Sequence, residues 1–176
     1  LIDVMLDRIL ADDIDPSLGA GDWRTKLAAV ARQDWERGNR HPWMLQVGTH
    51  RPPLGPNLMA KHEATLRILD GLGLSELEMD RVAALLMSYV QGAVRQAVEA
   101  TLVQQHTGMS DKQWWTTQEP LLMMVLDPSR FPLSHRVGQA VGEAFDAVTD
   151  PVGNFDFGLE RVLDGLQAFI DARKGP

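Results

Sequence analysis

From Ser75 to His106 the chain runs without a proline. The segment opens on Ser75-Glu76-Leu77-Glu78, a Ser and a Glu at the spacing of a capping box, flanked by Leu74 and Met79 where a hydrophobic staple would place them. The first strong stop is His106-Thr107-Gly108. A helix of that span is on the order of 45 Å long. Val82, Leu85, Leu86, Tyr89, Val90, Ala93, Val94, Ala97, Val98 and Leu102 cover more than half of its circumference. This predicts a central helix packed on several sides, around which the remaining segments must be arranged.

The remaining segments follow helical periods too. Leu1 to Leu10 places Ile2, Met5, Leu6, Ile9 and Leu10 at helical spacing from the first residues onward, with no capping residue ahead of them, so this helix reads as one cut in its middle. After a loop, Asp22 is a plausible N-cap for a helix to about Arg37 with Trp23, Leu27, Val30, Ala31 and Trp35 on one face. Gly38-Asn39 and His41-Pro42 are expected to stop it, and Trp43 to Val47 forms a short apolar turn or helix. The prolines of 48–56 fix a rigid loop, after which Asn57 is expected to cap a helix lined by Leu58, His62, Leu66 and Leu69. A second capping box stands at Ser110-Asp111-Lys112-Gln113, stapled by Met109 and Trp114, and Pro120 is expected to interrupt its helix. A weaker stripe (Val137, Val141, Phe145, Val148) and a last helix from near Asn154 complete an all-α fold. Nothing alternates with period two for long enough to make a strand.

Composition removes several functions. No cysteine is present, which rules out zinc ribbons, CxxC redox chemistry and disulfides. A net charge of −7 is the wrong sign for a free-standing nucleic-acid binder, whose phosphate contacts need Lys and Arg. No apolar run reaches the ~18 residues of a membrane span. His62-Glu63-Ala64-Thr65-Leu66 begins like a zinc-protease helix but has Leu where the second ligand belongs, and Glu63 and Glu99 lack the His three residues on that a di-iron bundle requires. No nucleophile elbow, phosphate loop or dinucleotide turn occurs. The residues support no enzyme, metal or cofactor. Five Trp and eight Met against one Tyr instead point to a roomy cavity for a flat or greasy small molecule, or else to an ordinary core.

Asn154-Phe155-Asp156-Phe157-Gly158-Leu159-Glu160-Arg161-Val162-Leu163-Asp164-Gly165-Leu166 resembles the last helix of the C-terminal domain of the tetracycline-repressor (TetR) family of bacterial transcription regulators. Asp22-Trp23-Arg24, Arg40-His41-Pro42-Trp43, Gly55-Pro56-Asn57 and Phe131-Pro132 follow the order of that domain, so the resemblance spans essentially the whole chain. It implies that residues 1–11 are the end of a connecting helix from an N-terminal helix-turn-helix domain missing here, and that residues 12–176 are an effector-binding and dimerisation domain. It also implies a cytoplasmic homodimeric regulator, a repressor released from operator DNA when a small, mostly apolar effector binds. Operator DNA would be met only through the missing head. The alternative is a stand-alone helical binding protein or enzyme that does not bind DNA.

By position in the family, the effector cavity is expected at Leu10, Trp35, Trp43, Gln46, Thr49, Arg51, Thr65, Tyr89, Gly92 and Gln96. Gln46 and Gln96 stand where the family's name-giving members hold a magnesium–drug chelate with His and Glu, so the resemblance implies no metal-bound drug here. The dimer is expected as a four-helix bundle of the long central helix and the last helix from each chain. Phe155, Gly158, Leu159, Val162, Gly165, Leu166 and Phe169 are its interface, because two glycines one heptad apart beside Val162 let another helix approach closely.

Overall fold

The computed structural model describes residues 1–11, 15, 19–47, 55–125, 127–145, 147 and 149–173. Among them lie seven α-helices: α1 (Ile2–Leu10), α2 (Trp23–Arg40), α3 (Pro56–Leu69), α4 (Glu76–Thr107), α5 (Asp111–Val125), α6 (Pro132–Phe145) and α7 (Pro151–Asp171), with a 3₁₀ helix at Pro42–Gln46. No strand occurs among the described residues, so the all-α reading holds. The chain divides into two compact units, residues 1–95 with 155–176 and residues 96–154.

The helix ends show how local chemistry sets the frame. The Asp22 carboxylate accepts from the Thr25 backbone N–H at 2.9 Å and from its hydroxyl at 2.8 Å, which closes the start of α2 and holds Asp22 below the ordinary carboxylate range. The α4 box forms through Glu78, which accepts from the Ser75 N–H and hydroxyl. At α5 both directions are made, Ser110 N–H to Gln113 Oε1 at 2.9 Å and Gln113 N–H to Ser110 Oγ at 3.2 Å. Gly71, Gly73 and Gly108 adopt positive φ in the connections before and after α4, as chain reversal without a Cβ penalty allows.

Several boundaries differ from the sequence expectation, each for a visible reason. Helix α2 continues past Gly38-Asn39 to Arg40. Gly38 is there for close packing, since a Cβ would fall 2.6 Å from a Val94 methyl of α4, and Asn39 donates back to the Trp35 carbonyl. Asn57 does not cap α3: Pro56 takes the first helical position and the amides of that turn are served from α1. Its inner face is Ala64, Thr65, Ile68 and Leu69, whereas His62 is exposed. Helix α5 is carried through Pro120 rather than broken by it. The residue is exposed, so the Thr116 carbonyl that loses its helical partner is on the solvent side, where water can serve it. Helix α7 begins at Pro151, a residue pre-set for the first turn, with Asp150 accepting from Gly153 N–H at 3.0 Å.

In the first unit the core is aliphatic. Leu27, Val30 and Ala31 of α2, Ile68 and Leu69 of α3, Val82, Leu86 and Val90 of α4, and Leu159, Leu163 and Ile170 of α7 are all buried. Helix α4 buries one stripe rather than several sides: Leu85 and Met87 are each 49% exposed. The larger anchor is aromatic. Phe155 of α7 is 3% exposed and stacks on Trp35 at 4.3 Å between ring centroids, with Tyr89 at 6.1 Å. The Tyr89 hydroxyl donates to the Phe155 carbonyl at 2.6 Å. Ion pairs from Arg24 to Glu160 (2.6 Å) and Asp164 (2.8 Å) flank the α2–α7 contact. In the second unit, Trp114 and Trp115 pack tilted at 6.3 Å, and Asp127 closes the α5–α6 turn on Ser129.

Gly158 lies under the Tyr89 ring, and a Cβ there would collide with the Tyr89 ring and hydroxyl. Gly158→Ala is therefore expected to lower stability by about 1–3 kcal/mol through overpacking. Gly92→Ala, whose Cβ meets nothing within 4 Å, should raise it by about 0.5–1 kcal/mol. Urea unfolding midpoints of the two variants check both signs.

Candidate functional site

Among the described residues of the first unit, two concavities bear on function. The smaller is a cavity of about 170 Å³ where α1, α2 and α3 meet. Helix α1 contributes Leu10, α2 Val30 and Gln33, and α3 the face Asn57, Ala60, Lys61, Ala64 and Thr65, with Ala11 and Asp15 at the rim. The α3 residues recur at i, i+3, i+4, i+7 and i+8, one side of one helix. Aliphatic walls thus meet amide, hydroxyl and charged groups. Behind Lys61 lies a largely buried ion cluster: Asp34 takes Arg37 at 2.5 Å and also Lys61, with all three side chains under one-fifth exposed. Thr65 donates its hydroxyl to the Lys61 carbonyl at 3.1 Å. No cluster of three or more His, Asp or Glu able to hold a metal ion occurs among the described residues.

The larger concavity is an open groove of about 550 Å³ along α4 and α7. Its floor is Val82, Leu85, Val162, Gly165, Leu166 and Phe169, and its rim is Glu78, Arg81, Arg161 and Arg173. Arg173 pairs with Glu78 and stands over the Phe169 ring at 4.9 Å, while Arg161 pairs with Asp164 at 2.6 Å. A Cβ on Gly165 would meet nothing within 4 Å. The α7 surface divides accordingly: Phe155, Leu159, Leu163 and Ile170 are buried within the chain itself, Leu166 is buried at the groove's floor, and Val162, Gly165 and Phe169 face the groove. Of the seven interface residues expected from sequence, Phe155 and Leu159 are spent in the chain's own core. Gly158 makes room for Tyr89, and Val162, Gly165, Leu166 and Phe169 line the groove.

Of the residues expected to line an effector cavity, those described in the first unit do not share one concavity. Leu10 and Thr65 line the α1–α2–α3 cavity. Trp35 and Tyr89 are stacked on Phe155. Trp43 is half-buried in the 3₁₀ helix, Gln46 is exposed at its end, and Gly92 and Gln96 are exposed on α4. Thr49 and Arg51 lie outside the described residues. No tryptophan or methionine stands among the described lining residues of either concavity. Sequence reading missed Asn57, Lys61 and Ala64 as a lining face and the Asp34 cluster behind it. The only signal was the repeat of small and polar residues along one side of α3.

The Asp34 cluster gives a direct expectation. Asp34→Ala withdraws the carboxylate shared by two cations in a partly buried place, which should cost about 3 kcal/mol. Lys61→Met leaves the Arg37 pair in place and should cost about 1 kcal/mol. Denaturant titration of both variants tests the ranking.

Tyr89 supplies a pH signature. Burial is the main cause that raises its pKa above the ordinary value; the Asp156 carboxylate acts in the same direction and a hydrogen bond from the Leu159 backbone against it. The fold therefore favours the neutral phenol. That contribution is complete below the unfolded value of about 10 and is lost as pH rises through the higher folded value. Tyr89 is the chain's one tyrosine, so phenolate absorbance reports it alone. Wild type should lose stability above about pH 10, and Tyr89→Phe should lack that component.

Comparison with known proteins gives a consistent picture. Residues 15–170 match the family described as Tetracyclin repressor-like, C-terminal domain. The chain is 36% identical over 177 aligned residues to the HTH-type transcriptional repressor DrrR1 of Streptomyces coeruleorubidus, covering 99% of this chain and 63% of that protein. It thus spans less than two-thirds of that curated relative. A TetR transcriptional regulator from Streptomyces coelicolor shares the fold with a TM-score of 0.65 at 22% identity, over 95% of this chain and 75% of that one.

Proposed function

Because the chain belongs to the tetracycline-repressor family through its C-terminal domain, we propose that it is the effector-sensing and dimerisation core of a transcriptional repressor. The observation that carries this reading is the family match over residues 15–170, seconded by a relative named as an HTH-type transcriptional repressor. Residues 1–11 are the end of the helix that connects to a DNA-reading head, and residues 12–176 the sensing and dimerising domain. Operator DNA is met through a helix-turn-helix segment outside these 176 residues. The chain's own charge of −7 supports that division, since an acidic body repels phosphate.

The effector enters the cavity between α1, α2 and α3. Aliphatic walls with amide and hydroxyl groups favour a mostly apolar small molecule carrying hydrogen-bonding groups, with Lys61, tied to Asp34, and Asp15 as the charged groups of the lining. To release DNA, it must bind the released state more tightly than the DNA-bound one, otherwise it shifts nothing. No cofactor is assigned. None of the described helices is long and apolar enough to cross a membrane.

The partner at the α4–α7 groove is a second copy of the chain, the two pairs of helices forming a four-helix bundle. Val162, Gly165 and Phe169 on α7 face outward beside Leu85, and Gly165 leaves open the space a side chain would fill. Sedimentation velocity at micromolar concentration should show a dimer, and Val162→Arg should shift it to monomer with helical content unchanged. A wild-type monomer overturns the dimer. Native mass spectrometry of the protein from its source host tests the sensor: a dissociable organic molecule of defined mass supports it. Retention of operator by the whole protein in extracts of that host, with every fraction tried, counts against it.

A further inference from the structure

Building on the reading of this chain as an effector sensor, we propose that Asp7 is a positioning residue that couples the α1–α2–α3 cavity to helix α1. The Asp7 carboxylate reaches across to the start of α3, fifty residues away in sequence. Its Oδ1 accepts from the backbone N–H of Asn57 at 2.9 Å and of Leu58 at 3.0 Å. These are two of the amides that any helix start leaves without an intrahelical partner. Helix α3 supplies no side-chain cap of its own. Gly55 makes the approach possible, because a Cβ there would fall on the Asp7 carboxylate. The opening turn of α3 therefore takes its cap from α1, not from its own sequence.

The same junction forms part of the cavity wall. Asn57 lines the cavity, and so does Leu10, one turn beyond Asp7 on α1. Both hydrogens of the Asn57 amide are committed to Asp7, one to Oδ2 at 2.8 Å and one to its backbone carbonyl at 3.2 Å. A ligand oxygen that accepts from Asn57 must take one of those hydrogens from Asp7. The ligand that works this junction is accordingly an apolar body carrying a hydrogen-bond acceptor, and its arrival loosens α1 from α3. Among the described residues α1 buries Leu6 and Leu10, while Ile2, Val4 and Met5 are 52%, 69% and 45% exposed.

The test is amide hydrogen exchange on the 176-residue chain, with a cavity-filling substitution as the probe. Asp7→Ala should speed exchange in α1 and in the first turn of α3 by about ten- to hundredfold, with the buried stretches of α4 and α7 unchanged. Asp7→Asn, which keeps an acceptor oxygen for the two backbone amides, should fall between. Ala64→Leu adds bulk to the buried wall and should speed α1 exchange when Asp7 is present, with no further gain in the Asp7→Ala background. Should Asp7→Ala unfold the chain, seen as fast exchange in α4 and α7, the cycle with Asp7→Asn decides. In that cycle the Ala64→Leu effect on α1 should shrink. The proposal is overturned if Ala64→Leu leaves α1 exchange at the wild-type rate, or if its effect is the same with and without the Asp7 carboxylate. That second result would make Asp7 a helix cap and nothing more. Neither DNA nor effector enters the measurement, so failure here leaves the regulator reading standing. A monomeric or effector-blind protein would equally leave the coupling intact.

Discussion

Phe155 is the residue on which the first unit turns. It comes from the last helix, and its ring lies against Trp35 of α2 and near Tyr89 of α4, so one side chain joins three helices that are far apart in sequence. Stacked aromatic pairs are worth about 0.5–1.5 kcal/mol beyond the area they bury, but the geometric consequence matters more. With Phe155 seated and its carbonyl taken by Tyr89, the rotation of α7 about its axis is fixed. Leu159, Leu163, Leu166 and Ile170 then follow into the core at helical spacing. Val162, Gly165 and Phe169 have no choice but to face the other way, toward the groove. The surface available to a partner is thus set by a contact buried on the opposite side of the same helix.

This explains why two glycines one heptad apart do different work. Gly158 follows Phe155 by one turn and must admit the Tyr89 ring, whereas Gly165 lies two turns further along, where a Cβ would meet nothing within 4 Å. Sequence spacing alone treats them as one motif, because the period tells which residues share a face but not which face turns inward. Sequence reading grouped Phe155, Leu159, Val162, Leu166 and Phe169 on one face; their division into an inward and an outward stripe depends on a long-range aromatic contact that no local pattern encodes.

The same limit runs through the rest of the chain. Elements whose start is written in adjacent residues, such as Asp22–Thr25, Ser75–Glu78 and Ser110–Gln113, were legible to within a residue. Where the cap comes from elsewhere, as at α3, local reading chose Asn57 and erred, since the carboxylate that serves those amides belongs to α1. Gly38 read as a stop because its reason for being glycine is Val94, on another helix. The candidate cavity was least legible of all. Tryptophan drew attention by its abundance, yet the lining is small aliphatic and polar, and Trp35 is occupied with Phe155. Abundance of a residue type reports supply, not placement.

Energies then decide where such a domain can move. Separating α7 from α2 and α4 exposes fully buried aliphatic side chains, each worth about 1.5–3 kcal/mol, together with an aromatic stack. Few ligands can offset that sum. The join between α1 and α3 is of another kind: four hydrogen bonds to one aspartate and two buried leucines. Bonds to a charged group contribute about 1.5–3 kcal/mol each, net of the water bonds that replace them on opening. Driving a two-state element from 1:99 to 99:1 takes about 5.5 kcal/mol of differential binding, which is within reach of one small molecule. A ligand bound at Asn57 in this cavity would bring a binding energy that is large relative to what it must disturb. The same energy applied to the α7 packing would leave the helix where it is.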